Sequence, residues 1–234
     1  LRVARFAARF DFAVAPETEA LMRTIVASGE LATLAPERVW QEIARGLSEA
    51  RPSRMLAVLR DCGALDALLP ELAALYGVPQ PPAHHPEVDA GVHVALALDW
   101  AAARNHSLEA RYAILAHDLG KAQSPVAALP RHHAHEQRSV RLAQRLSERL
   151  RVPIECRDAA VLAARWHGVV HRAADLRPAT LLDLLSAADA LRRPGRLDTL
   201  LDACAADACS RPGATQDYAP AAVLRRALGV VKAV

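Results

Sequence analysis

The stretch Ser107-Leu-Glu-Ala-Arg-Tyr-Ala-Ile-Leu-Ala-His-Asp-Leu-Gly-Lys121 decides how this chain is read. Leu108, Tyr112, Leu115 and Leu119 recur at i, i+4, i+7 and i+11 and share one face of a helix that starts at Ser107, a good N-cap residue. Ala110, Ala113 and Ile114 make the opposite side apolar too, so the helix is expected to be buried on both sides. His117 lies on that second side, Lys121 one turn further along it, and Asp118 projects between the first stripe and Lys121. Burying an imidazole, a carboxylate and an ammonium together is unfavourable unless they satisfy one another or hold an ion. A metal resolves this: His117 and Asp118 bind it, and Lys121 faces whatever anion the metal holds. For an isolated His-Asp pair, a hydrogen-bonded core histidine beside a buried salt bridge is the simpler alternative.

The surroundings favour the metal. All ten histidines lie between His84 and His171, and histidine with carboxylate makes a water-bearing metal site. His93 sits in the apolar run Gly91–Leu98, and Asp189 in the apolar run Leu184–Leu191. Two imidazoles (His93, His117) and two carboxylates (Asp118, Asp189) from three helices would leave open positions on a divalent ion, the mark of a catalytic site. His132, His133 and His135 cluster in a loop over 123–135. His167 and His171 are four apart on one helical face, a spacing able to chelate a second metal or to grip phosphate. His135 and His167 are carried forward as candidates; His84, His85 and His106 are set aside as ordinary surface histidines.

Working outward, the composition is helical: aromatics make up 4% of the residues and β-branched runs are scarce. Pro16 and Pro36 stand at first-turn positions, each followed by a glutamate that suits the helix dipole; Gly29 ends one helix and Pro52 starts another. Leu56 to Leu75 is apolar at helical period, broken near Pro70. Val78 to Pro86 is proline-dense and marks a boundary between residues 1–80 and 81–234. Beyond it helices are expected at about 88–104, 107–121, 136–151, 154–171, 178–192, 196–209 and 219–231. The fold class is all-α.

Near the start, Arg2, Arg5 and Arg9 share one helical side while Val3, Phe6, Ala7 and Phe10 fill the other; spacing alone favours surface decoration over a row of cations facing phosphates. Residues 1–84 carry 9 basic against 10 acidic residues and the remainder 20 against 16, so the net +3 sits with the histidines and is too small to prove a nucleic-acid partner. Cys62, Cys156, Cys204 and Cys209 lack Cys-x-x-Cys spacing and read as thiols of a reducing cytoplasm. No apolar run approaches the ~20 residues of a membrane span. The chain opens at Leu1 inside an amphipathic pattern and is expected to be a piece of something longer.

The order His93, His117-Asp118, Asp189 resembles the His…His-Asp…Asp pattern of the HD phosphohydrolase superfamily. Several further stretches narrow the likeness: Leu1–Phe10, Pro36-Glu-Arg-Val-Trp40, Val58–Leu65, His85-Pro-Glu-Val-Asp89 and Pro130-Arg-His-His-Ala-His135. Together they resemble the bacterial multifunctional CCA proteins, tRNA nucleotidyltransferases that carry a C-terminal HD domain. The resemblance covers essentially the whole chain. It implies that residues 1–80 are a helical body holding the tRNA acceptor end, with Arg2 and Arg5 contacting CTP or ATP. It implies that the histidine-rich part is an HD domain with 2′,3′-cyclic phosphodiesterase, 2′-nucleotidase and phosphatase activities.

By the same resemblance, His93, His117, Asp118 and Asp189 would ligate Ni2+ or Mn2+, and His135 and His167 belong to the site; chemically, Lys121 and Arg131 are expected to offset charge on the phosphate while His135 or His167 positions substrate or supplies a proton. Mg2+ would serve nucleotidyl transfer in the full-length enzyme. The Gly-Ser and Asp-x-Asp metal motif of that reaction is missing from this sequence; Glu87-Val-Asp89 is the nearest acidic pair and lacks the glycine-serine turn. Nucleotide addition by this piece alone is therefore not expected. The expected setting is cytoplasmic, monomeric or homodimeric, without a membrane partner. The competing class is a catalytically silent HD domain acting as a tRNA-binding or dimerisation module. An HD-type oxygenase or nucleotide triphosphohydrolase shares the ligands and differs in substrate.

Overall fold

The computed structural model describes residues 1–82 and 87–233, so His84 and His85 lie outside the described residues. Helices begin where the sequence is punctuated. Arg2–Phe10 (α1), Pro16–Ala27 (α2), Pro36–Ser48 (α3), Pro52–Asp61 (α4), Ala64–Leu68 (α5) and Pro70–Ala73 (α6) precede the proline-dense stretch. After it come Ala90–Ala103 (α7), Leu108–Ala116 (α8), His135–Arg149 (α9), Ile154–Val170 (α10), Pro178–Ala187 (α11), Pro194–Cys209 (α12) and Ala219–Lys232 (α13). Proline opens α2, α3, α4, α6, α11 and α12 in the first turn, where its missing N–H is no loss. Among the described residues there is no strand, only an isolated antiparallel bridge between Pro79 and Asp89, and the fold is all-α.

α8 is the packing axis. Ser107 caps it by accepting a hydrogen bond from the Ala110 amide, and every residue from 110 to 121 is buried. Its neighbours are α3, α7, α9, α10 and α12. Tyr112 meets Trp40 of α3 edge to face at 5.1 Å. The Tyr112 hydroxyl lies 2.9 Å from Ser147 Oγ, and Ser147 in turn donates to the Ala143 carbonyl. Burying that hydroxyl in α9's surface leaves no polar atom stranded. A single buried apolar cluster includes Leu56 and Leu72 before the proline-dense stretch and Leu98 and Ile114 after it. No helix among the described residues is long and apolar enough to cross a membrane.

Arg111 ties the stretch before the prolines to the stretch after them. Its guanidinium donates to the carbonyls of Leu47 (2.7 Å), Glu49 (3.0 Å) and His106 (2.9 Å), so it closes the C-terminal end of α3 from within α8. Helix C-termini leave carbonyls without partners and favour a cation. Arg111→Met keeps the stem and removes all three donors. It is expected to destabilise the chain by about 2–3 kcal/mol, read as a lower denaturation midpoint in urea with an unchanged slope.

Three sequence expectations are adjusted here. In α1 the side facing the core is Ala4, Ala7 and Ala8, whereas Phe10 is 62% exposed. The small alanines let α1 lie close against α4, and Phe6 and Phe10 instead receive the guanidinium groups of Arg5 (4.7 Å) and Arg9 (5.2 Å). The helix expected over 107–121 stops at Ala116, and Leu119–Gln123 form a 3-10 turn. The helix expected over 178–192 stops at Ala187. The last two changes reshape the site.

Candidate metal centre

The His-Asp pair sits at a helix break, not on a helix face. His117 is the C-cap of α8, and Asp118 leaves the helical region at φ −112°, ψ 9°. The break allows adjacent side chains to converge on one spot, which consecutive residues of a continuous helix cannot do. Gly120 holds the start of α9 against the break. A Cβ there would lie 2.3 Å from the His135 carbonyl oxygen and 2.5 Å from the Ser139 nitrogen. Instead the Gly120 amide donates to Ser139 Oγ (2.9 Å), and Arg138 donates to the Gly120 carbonyl (3.1 Å). That contact delivers His135, the first residue of α9, to Asp118.

Two triads result. His93, His117 and Asp207 present ligand atoms all within 4.8 Å of one another, and so do Asp118, His135 and His167. They meet where His117 Nε2 lies 3.3 Å from Asp118 Oδ2 and 3.9 Å from Asp207 Oδ2. On the other side, Asp118 Oδ1 is 3.2 Å from His135 Nε2 and 3.5 Å from His167 Nε2. Lys121 Nζ is 2.6 Å from Asp118 Oδ2 and also donates to Gln80 Oε1.

The ring orientations suit a cation. His117, His135 and His167 each place Nδ1 on a backbone carbonyl, those of Ile114 (2.7 Å), His132 (2.7 Å) and Ala163 (2.9 Å). A carbonyl only accepts, so Nδ1 carries the proton and Nε2 turns its lone pair inward. The buried His117 Nε2 and Asp118 Oδ1 make no hydrogen bond within the chain. A bound divalent ion would satisfy both atoms, and the donor set of imidazole nitrogens and carboxylate oxygens fits a transition metal.

The charges are arranged to match. Burial would raise the Asp118 pKa, but His117 and the Lys121 ammonium beside it outweigh burial and hold the carboxyl well below its ordinary value. Burial opposes ionisation of Asp207 as well, and His171 and His93 hold it well below the carboxylate range. Burial pushes His167 down to about 4, keeping it neutral near pH 7. Burial also lowers His93, yet its hydrogen bonds to Asp207 (2.8 Å) and its contact with Glu87 (2.8 Å) dominate and lift it to about 9.

A pH dependence follows for the metal-free protein. His93 is raised in the folded state, so its contribution is fully present below pH 6.5 and is lost as pH rises towards 9. The melting temperature in chelator is expected to fall over that interval. Saturating Ni2+ is expected to flatten the fall, because the ion takes the place of the proton.

Of the residues singled out from the sequence, the structure brings together His93, His117, Asp118, Lys121, His135 and His167. It does not bring Asp189. The helix ends two residues before it, the chain turns there at φ +51°, and the carboxylate is 31% exposed against Arg193 at 3.7 Å. Asp207 of α12 stands in its place, three residues after buried Cys204 and seven after buried Leu200 on the inward stripe. Two more groups support it, in roles other than those read from the sequence: Glu87 against His93 Nδ1, and His171, which bridges Asp207 Oδ2 and the Tyr218 hydroxyl. His171 therefore backs the first triad and does not pair with His167 as a chelate.

His132 is a structural pin between Ser124 and the Pro79 carbonyl, and His106 pairs with Asp202 beside Trp100. Arg131 lines the mouth of the site with Lys121, His133 and His135, in a hollow of about 400 Å³. Arg2 and Arg5 line a separate hollow of about 550 Å³ with Arg38 and Arg45, and Arg5 is paired there with Glu42 at 3.0 Å.

A helical domain that centres a His…His-Asp…Asp set defines the class, and the chain belongs to the HD domain family, which residues 90–211 match. Residues 11–76 match a second family described as "Probable RNA and SrmB- binding site of polymerase A". Along its whole length the chain is similar to proteins named Multifunctional CCA protein. It is 57% identical to that of Nitrosospira multiformis over 235 residues, all of this chain and 57% of the relative. It is 57% identical to that of an Azoarcus species and 58% identical to that of Aromatoleum aromaticum, each over 236 residues and 57% and 58% of the relative. The chain thus spans a little over half the length of these curated relatives.

Proposed function

We propose that this chain is the C-terminal part of a CCA-adding tRNA nucleotidyltransferase, and that its HD domain hydrolyses phosphoesters at RNA ends. Residues 1–80 act as the helical body that receives the tRNA acceptor end, and residues 81–234 as the hydrolase. A divalent ion would be held by His93, His117, Asp118 and Asp207, whose two imidazoles suit Ni2+ and whose two carboxylates suit Mn2+. Such an ion supplies Lewis acidity and a water of lowered pKa. Asp118 and Asp207 hold the negative charge that binds it, Glu87 and His171 orient the ligands, and Lys121 with Arg131 offsets charge on the phosphate. His167 stays neutral, and His135, raised by Asp118 against the effect of burial, can hold a proton at Nε2 beside the leaving oxygen.

The observation that carries this function is the convergence of three inward Nε2 atoms, those of His117, His135 and His167, on one buried carboxylate that touches both triads. In the longer protein, Arg2 and Arg5 contact CTP or ATP and Mg2+ serves nucleotide addition, in a cytoplasmic enzyme that is a monomer or homodimer.

The test is a panel of metals against 2′,3′-cyclic nucleotides, 2′-nucleotides and simple phosphate esters, run together with elemental analysis. Turnover of a cyclic or 2′-phosphate with bound metal is expected; bound metal without turnover of any ester refutes the hydrolase. Metal content also separates two arrangements. One equivalent leaves His135 to hold a proton, and two equivalents place it on a second ion.

A further inference from the structure

A sizeable cleft lies beside the triads and not over them. It has a volume of about 770 Å³ and runs between α9 and α10, lined by Ala134, Glu136, Gln137, Arg165, Trp166 and Arg172 among others. Its inner end adjoins the mouth of the metal centre, because Ala134 and Glu136 line both. Its walls include the chain neighbours of the two outer imidazoles: Ala134 and Glu136 on either side of His135, and Trp166 and Gly168 on either side of His167. Whatever is held at His135 and His167 therefore has its remaining bulk within reach of this cleft.

The lining is specific in kind. Trp166 is half-buried on α10 and offers an aromatic surface. Arg165 and Arg172 are both exposed; Arg165 precedes Trp166 on α10, and Arg172 stands two residues beyond the end of that helix at Val170. The Arg165 guanidinium sits 5.8 Å from the Trp166 ring centroid, and Arg172 is steadied by donating to the Gly168 carbonyl at 3.2 Å. Glu136 and Gln137 add acceptor and donor groups at the inner end. An aromatic platform beside cations is the composition that binds single-stranded nucleic acid, the ring stacking a base and the cations tracking the backbone.

We propose that this cleft holds the single-stranded 3′ segment of an RNA whose terminal phosphoester lies at the metal centre, with a base stacked on Trp166 and the phosphates 5′ of it held by Arg165 and Arg172. The proposal deepens the hydrolase function and rests on it. The cleft makes the preferred ligand a strand end, and a free mononucleotide fills only part of it.

The test is binding of an RNA trinucleotide ending in a 2′,3′-cyclic phosphate to the metal-free protein, with 2′,3′-cyclic AMP as the short comparison. The unsubstituted protein is expected to bind the trinucleotide more tightly than the mononucleotide. Trp166→Leu is expected to weaken the trinucleotide about tenfold, the size of one lost stacking contact. The double variant R165A/R172A is expected to weaken it similarly and to lower the slope of log affinity against log salt by about 1.4, roughly 0.7 per lost phosphate contact. Both arginines are exposed, so that variant decides the matter even if Trp166→Leu does not fold. Equal affinity for the two ligands, or variants within twofold of the unsubstituted protein with an unchanged salt slope, overturns the cleft assignment. Binding of the trinucleotide as described, with no hydrolysis in the metal panel, upholds the cleft and refutes the hydrolase.

Discussion

Asp118→Ala is expected to abolish hydrolysis of a 2′,3′-cyclic nucleotide in the presence of nickel or manganese, a loss on the order of a thousandfold or more. One carboxylate oxygen contacts His117 and Lys121, the other His135 and His167. The substitution therefore removes a ligand from both triads at once. It also leaves the Lys121 ammonium, 9% exposed, with Gln80 as its remaining partner. Breaking one side of a buried ion pair costs about 3–5 kcal/mol, so the alanine variant is also expected to melt earlier. Asp118→Asn separates the two effects, since it keeps the shape and one acceptor while removing the charge. A folded asparagine variant that binds no metal and turns over no ester is the expected result. Unchanged turnover in either folded variant would sink the site.

The second large effect distinguishes two aspartates. Asp207→Ala is expected to lower metal affinity by at least about a hundredfold, whereas Asp189→Ala should leave metal content and turnover within twofold. Asp207 is buried and is gripped by His93, His171 and Arg211 (2.8, 2.6 and 3.1 Å), each of which loses this carboxylate in the alanine variant. Asp189 is partly exposed beyond the end of α11 and touches only the solvent-facing Arg193 among the ion pairs described for it. Isothermal titration with Ni2+ on the two variants gives the comparison. The reverse ranking would return Asp189 to the ligand set and remove Asp207.

Much of this arrangement was legible along the chain. Prolines and Ser107 mark helix starts because their effects are local: a missing donor or an added acceptor in the first turn acts within four residues. Period also shows which helices are buried, and α8 is the clearest case. The fourth ligand read from the sequence differs from the one the geometry proposes because one pattern was extended past the end of its helix. Leu184–Leu191 reads as a continuous apolar helix, so Asp189 looks like a buried carboxylate. The signal for Asp207 was equally present, since it continues the stripe of Leu197, Leu200, Leu201 and Cys204 within a helix expected over 196–209. Periodicity ranks such residues but cannot see a helix stop that carries no proline or glycine, and α11 stops at Ala187 without either.

The all-α class, the two stretches flanking the prolines and the chemistry of the histidine window are written in composition and spacing, because propensity, capping and helical period are properties of neighbours in the chain. Three features required the folded molecule. The helix break at His117-Asp118 depends on α9 pressing against Gly120, a contact between residues fifteen or more apart. The choice of Asp207 over Asp189, and the cleft beside Trp166, depend on how helices far apart in sequence lie against one another. Distance along the chain sets none of these; packing sets them all.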